Sequence, residues 1–236
     1  FQVAAYNAGG TGSFSSSSAT LTPYGKPSPP ATVSGSMGNT SVALTWSASV
    51  SNGLAVTNYY VQYSSNNGTT WSSASAVGSA ATAYTVTGLT NGTSYVFRVA
   101  GTNSAGTGTY STASDAVVPA TLPSQVSAPA GTANDSSVYL IWTAPANNGA
   151  AISDYNIQYS SNNGGTWISY TDGISASTSA TVSGLTNGTS YVFRIAAVNV
   201  VGAGSYGSAS SGVIPVAVAG APSSVLGQGA NNSVSL

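Results

Sequence analysis

Apolar and polar residues alternate in short runs along most of this chain. Val42, Leu44 and Trp46 alternate with Ala43 and Thr45. Tyr59, Val61 and Tyr63 form the next inward set, followed by Tyr84 and Val86 and then by Tyr95, Phe97 and Val99. A period of two is that of a strand with one buried face. The last segment of this series, Tyr110 to Val118, is less regular. The pattern then starts again with Val138, Leu140 and Trp142, then Tyr155, Ile157 and Tyr159, then Val182, then Tyr191, Phe193 and Ile195. No stretch sustains helical spacing. Asn-Gly pairs at 52–53, 67–68, 91–92, 148–149, 163–164 and 187–188 separate the runs. Both residue types tolerate the positive φ of tight hairpins. The run from Tyr63 through Asn67-Gly68 to Trp71 reads as a strand, a hairpin turn and a short return strand. The pattern predicts an all-β chain built as antiparallel sandwiches.

The pattern is also periodic on a longer scale. Leu89 to Arg98 recurs letter for letter as Leu185 to Arg194, 96 positions on. Trp46 and Trp142, Tyr63 and Tyr159, Trp71 and Trp167, and Pro119 and Pro215 keep the same offset. A fixed period marks one folding unit used again. The ends obey it too. Phe1-Gln2-Val3-Ala4 matches Phe97-Arg98-Val99-Ala100, while Pro222, Val225, Val234 and Leu236 match Pro30, Val33, Val42 and Leu44 at twice the offset. Proline-rich joints at Pro23–Pro30, Pro119–Pro123 and Pro215–Pro222 stiffen the boundaries and end strand pairing. The expected organisation is the last strands of one repeat over 1–23, complete repeats over 24–119 and 120–215, and the first strands of another over 216–236. The two end pieces lack the strands needed to close a core, so they are expected to lie in domains completed by more chain, continuous or from a neighbouring subunit.

In order along each repeat stand Trp46, Tyr59-x-Val61-x-Tyr63, Leu89 six residues before Tyr95, and Tyr95-Val96-Phe97-Arg98-Val99-Ala100-x-x-Asn103-x-x-Gly106. The same series holds at Trp142, Tyr155, Leu185, Tyr191 and Asn199. This resembles the fibronectin type III family over both complete repeats. The resemblance implies an immunoglobulin-like sandwich of seven strands, three in one sheet and four in the other, strung as beads. It implies that Tyr95 and Tyr191 are tyrosine corners, their hydroxyls bonded to the turn that begins at Leu89 or Leu185. The Tyr-Ser-Ser-Asn-Asn-Gly…Trp hairpin looks like bacterial or phage-borne members. Trp46, Tyr95, Trp142 and Tyr191 are the expected core aromatics.

Composition narrows function by exclusion. Charged residues are 3% of the chain and the formal net charge is −1, while the apolar fraction is 42%. A core can form, and a surface of Ser, Thr, Asn, Gln and Gly must cover it. Lys26, Arg98, Arg194, Asp115, Asp135, Asp154 and Asp172 are the whole charged set; His, Cys and Glu do not occur. Such a chain offers no basic footprint for nucleic acid or anionic lipid. It has no apolar stretch long enough for direct membrane insertion. Groups that move protons, hold metals or attack carbon are reduced to four Asp beside Ser, Thr and Tyr, so no enzyme, cofactor or metal site is expected.

Two positions invite a ligand reading. Trp71 and Trp167, if exposed, could stack on sugar rings; the same position can cap the core edge, the commoner fate of aromatics in small sandwiches. Arg98 and Arg194 lie between inward residues and should point outward, either to a ligand or along the sheet in solvent. A charge-poor surface favours association, and sandwich edges usually carry guarding charges that are nearly missing here. The expected role is a repeat segment of an extracellular fibre, filament, sheath or surface protein, on a cell or virion. Its partners would be other copies of itself or neighbouring repeats. The alternatives are an adhesion or carbohydrate-binding module that recognises cell-surface glycans, with copies giving avidity, and a passive spacer in a polysaccharide-degrading enzyme or phage protein.

Overall fold

The computed structural model of the chain describes residues 1–220, 228–230 and 233–235. The chain divides into two compact units, Phe1–Pro119 and Ala120–Leu236. The first opens with a small hairpin, β1 (Tyr6–Asn7) and β2 (Gly10–Thr11). A complete repeat follows: β3 (Val33–Gly38), β4 (Ser41–Trp46), β5 (Asn58–Ser64), β6 (Ser75–Ala76), β7 (Ala83–Thr87), β8 (Val96–Asn103) and β9 (Gly106–Thr107). The second unit holds β10 (Ala130–Asn134), β11 (Ser137–Ile141), β12 (Ile152–Ser160), β13 (Ile168–Tyr170), β14 (Ser179–Ser183), β15 (Val192–Asn199) and β16 (Gly202–Ala203). It ends in a hairpin of β17 (Gln228–Ala230) with β18 (Ser233–Ser235). Pro222, Val225 and Leu236 lie outside the described residues, as does the side chain of Val234.

Each repeat is a sandwich of a three-stranded and a four-stranded antiparallel sheet, in the orders β3-β4-β7 and β6-β5-β8-β9, and β10-β11-β14 and β13-β12-β15-β16. The inward half of each alternating run meets the other sheet's inward half. In the first repeat Val42, Leu44 and Trp46 of β4 close against Tyr59 and Val61 of β5 and Phe97 and Val99 of β8. In the second, Val138, Leu140 and Trp142 close against Tyr155, Ile157, Phe193 and Ile195. Burying these faces is the main favourable term in folding.

The less regular last segment has a physical reason. After β9 the chain follows β8 at three residues for every two. The backbone N–H groups of Ser111, Ser114 and Val117 donate to the carbonyls of Val99, Phe97 and Tyr95 at 2.9, 2.8 and 2.8 Å. The hydroxyls of Ser111 and Ser114 accept from the Val99 and Phe97 amides, each at 3.1 Å. Serine side chains thus complete a ladder that the backbone alone would leave half-paired. Ser210 does the same for Phe193 at 3.0 Å. A three-residue step has no period of two to read.

The opening hairpin repeats this arrangement without a sandwich beneath it. Tyr6 pairs with Thr11 and Asn7 with Gly10, as Thr102 pairs with Thr107 and Asn103 with Gly106. Ser15 accepts from Val3 as Ser111 does from Val99. Yet Phe1 is 91% exposed where its counterpart Phe97 is 0%.

The Asn-Gly turns fall into two kinds. At Asn52, Asn67, Asn148 and Asn163 both residues take positive φ, the geometry that twists with a hairpin. At Asn91 and Asn187 only the glycine does. There the Asn side chain has other work: Asn91 Oδ1 accepts from the Thr40 amide at 2.8 Å, and Asn187 Oδ1 from the Ser136 amide at 2.9 Å.

Candidate functional site

The four aromatics expected in the core are buried, at 6% exposure for Trp46 and 7% for Tyr95, Trp142 and Tyr191. The Tyr95 hydroxyl accepts from the Thr90 amide at 3.2 Å, and the Tyr191 hydroxyl from the Thr186 amide at 3.1 Å. These residues hold the sandwich, and Trp142 also forms part of the wall of a cleft in the second repeat.

Trp71, Trp167, Arg98 and Arg194 do meet at the surface, in pairs. The Arg98 guanidinium lies 4.2 Å from the centroid of the Trp71 ring and 4.6 Å from that of Tyr110. Arg194 repeats this with Trp167 and Tyr206 at the same distances. A guanidinium over an aromatic face is held by the ring quadrupole. Nε and Nη2 of Arg98 both donate to Gln62 Oε1, at 2.9 and 2.7 Å, and Arg194 Nε donates to Gln158 Oε1 at 2.9 Å. The expectation of an arginine lying along its sheet in solvent missed this set of partners. The signal was present, since Gln62, Trp71, Arg98 and Tyr110 all recur 96 residues on. The guanidinium covers one face of the Trp71 or Trp167 ring. Burial raises the Tyr110 phenol above its usual range, with Arg98 pulling the other way.

Arg98→Ala should cost the first repeat about 1–2 kcal/mol, from the lost ring contacts and the Gln62 fork. Arg98→Lys should recover less than half of that, because an ammonium cannot reproduce a planar fork and stack together. Denaturant melts of the three proteins measure both steps; full rescue by lysine would show that the fork contributes nothing.

The carboxylates are dispersed. Asp135 accepts from Asn187 Nδ2 at 2.7 Å and from the Ser136 hydroxyl at 3.0 Å, and these bonds hold it below the usual carboxylate range. Asn39 accepts the matching bond from Asn91 in the first repeat, so the charge there is dispensable. Asp172 is pushed above its usual range by burial, partly offset by its own backbone amide, with Asp154 adding to the rise. It borders a cleft of about 340 Å³ together with Tyr155, Tyr170 and Ser175. Among the described residues no three His, Cys, Asp or Glu side chains gather as a metal site would require. Among them, too, no helix is long and apolar enough to cross a membrane.

Known proteins are similar to this chain in sequence. Human myomesin-2 is 35% identical over 136 residues, covering 55% of this chain and 9% of its own length. Chitinase A1 of Niallia circulans is 34% identical over 172 residues, covering 69% of this chain and 22% of its own length. This chain therefore spans about a tenth to a fifth of these relatives. A crystal structure of chicken CNTN1 FN1-FN3 domains aligns over 86% of this chain and 72% of that one, at 19% identity and a TM-score of 0.40. The sequence profile of the fibronectin type III domain matches residues 26–117 and 122–213. With two whole repeats matched, each closing its own two-sheet core around a buried tryptophan and a tyrosine corner, the chain belongs to the fibronectin type III family.

Proposed function

We propose that this chain is a spacer and self-association segment of a long extracellular fibre, filament, sheath or surface protein, and that its partners are further repeats of its own kind. The observation that carries the reading is the surface. Two of the three cations, Arg98 and Arg194, are engaged by aromatic rings and glutamines. The outer strands β3, β7, β10 and β14 carry no charged residue within their bounds. Uncharged edges with unpaired backbone groups pair readily with other chains. Phe1 and Val3 stand exposed, apolar surface that a further repeat can cover.

Contacts of this kind rest on Ser, Thr, Asn and Tyr side chains and on backbone hydrogen bonds, which salt hardly screens. Light scattering of the chain across a salt series should show concentration-dependent association that is nearly flat from low to physiological ionic strength. Dissociation on modest salt addition, or a strict monomer at high concentration with neighbouring repeats attached, would overturn the proposal.

A further inference from the structure

The two repeats differ most between their surface tryptophan and the strand that follows. Trp71 to Tyr84 and Trp167 to Ala180 are equal in length, but they pair differently. In the first repeat the Ser72 amide donates to the Tyr63 carbonyl, after which Val61 faces Ser75 and Tyr60 faces Ala76. The ladder has slipped by one residue. In the second there is no slip: Tyr159 faces Ile168, Gln158 faces Ser169 and Ile157 faces Tyr170. A one-residue change of register sends every later side chain to the other face.

Two consequences follow in the second repeat. Tyr170 packs partly against the core and its hydroxyl reaches the free edge of β14, donating to the Thr181 carbonyl at 3.0 Å. The residues not used in the ladder then loop out as Thr171-Asp172-Gly173-Ile174, with Gly173 at φ +85°, before the Ser175 amide returns to Asp154 Oδ1 at 3.0 Å. In the first repeat Val77 fills this region and packs on the core, and the Gly78 amide bonds Asn58 Oδ1 at 2.8 Å. The second repeat is left with two adjoining clefts of about 340 and 310 Å³ that share Tyr155, Tyr170 and Asp172.

The lining states what would fit. Ser175, Ser177, Ser179 and Thr181 bring hydroxyls to the larger cleft, each able to donate and accept. Tyr170, half-buried, brings aromatic surface, with the buried Tyr155 behind it. Asp154 accepts from the Ser175 amide through Oδ1, while Asp172 stands exposed at the border of both clefts, its carboxylate oxygens able to accept. No Lys or Arg lines either cleft, so an anion would meet no counter-charge. A few convergent polar groups around aromatic walls are the usual make-up of a small-molecule site. We propose that this cleft of the second repeat binds a neutral sugar, one pyranose ring lying against Tyr170 and a ring hydroxyl donating to Asp172. The proposal goes beyond the assembly reading and does not depend on it, since one repeat can serve as a spacer and still carry a site that its neighbour lacks.

The test is an amide NMR titration of the whole 236-residue chain with maltohexaose, cellohexaose, chitohexaose and mannohexaose, each up to about 20 mM, because a single small cleft implies a Kd on the order of millimolar. At least one sugar should give saturable shifts over residues 170–181 and none over the matching 74–85. Asp172→Asn, which keeps size and removes the charge, should weaken binding by about tenfold, the equivalent of one hydrogen bond to a charged group. Tyr170→Phe, which keeps the ring, should bind within about threefold of the parent chain, and Tyr170→Ala should not bind. No saturable shift with any sugar would overturn the proposal, as would equal shifts in both repeats or unchanged binding by Asp172→Asn. Shifts at 170–181 with calcium or tetramethylammonium but not with sugars would overturn it in favour of a cation site.

Discussion

Replacing Trp46 with alanine should lower the stability of the first repeat by about 3–5 kcal/mol. That is a large part of the roughly 5–15 kcal/mol that holds a domain together. Trp46 closes β4, is 6% exposed, and meets Tyr59 edge-on at 5.4 Å and 64°. Its ring therefore contributes both burial and an aromatic pair that is worth about 0.5–1.5 kcal/mol on its own. Alanine leaves a cavity that two hydrogen-bonded sheets cannot collapse to fill. The indole N–H of Trp46 is buried without an acceptor, so Trp46→Phe loses no hydrogen bond and should cost much less. Trp142→Ala should act likewise in the second repeat, where the pair with Tyr155 stands at 5.1 Å and 71°. The two cores share no residue, so each substitution should lower one of two calorimetric transitions and leave the other in place. An unchanged midpoint in the mutated repeat would refute the assignment.

The second large effect is expected at a buried amide. Asn103 is 6% exposed, and its Nδ2 faces the carbonyls of Gly25, Ser51 and Leu54 at 2.8, 3.1 and 3.3 Å. Its Oδ1 accepts from the Ala105 amide at 2.9 Å. One side chain thus ties the entry segment, the β4–β5 loop and the β8–β9 hairpin. Asn103→Ala leaves several shielded backbone groups unpaired, each costing about 1–3 kcal/mol, and should destabilise the first repeat by about 2–5 kcal/mol. Asn103→Asp should be no better, since a carboxylate supplies no donor and would sit against carbonyl oxygens. Asn199 occupies the same place in the second repeat, donating to Thr121 and Asn147 at 2.8 and 3.2 Å. Asn7 is the internal control: it accepts from Gly9 at 2.8 Å but is exposed, so Asn7→Ala should change little. Thermal midpoints of Asn103→Ala, Asn199→Ala and Asn7→Ala decide it; a loss under about 1 kcal/mol at Asn103 would show that water replaces the amide.

The contrast between Asn7 and Asn103 shows where legibility stops. Both stand in the same motif and make the same local turn, and only one is buried under a loop and an entry strand. Alternation exposed the inward sets of β4, β5 and β8 because one face of each strand must leave water. The serine-stapled last segment was hidden, since its step of three has no signature in hydrophobicity. The arginine stacks were spelled out only as four separate recurrences, with nothing local to join Gln62, Trp71, Arg98 and Tyr110.

By itself the sequence determined the strand pattern, the two-repeat organisation, the core aromatics and the poverty of charge, because these follow from local periodicity, composition and an internal period. Tertiary structure alone decided which polar groups meet and in what register. Trp71 to Tyr84 and Trp167 to Ala180 have the same length and the same flanking strands. Yet in one the ladder slips and Val77 packs on the core, while in the other it runs straight, Tyr170 reaches β14, and Asp172 loops out beside a cleft. Register is a competition between whole ladders, settled by which side chains can be buried together from both sheets. No window of sequence holds both sides of that comparison.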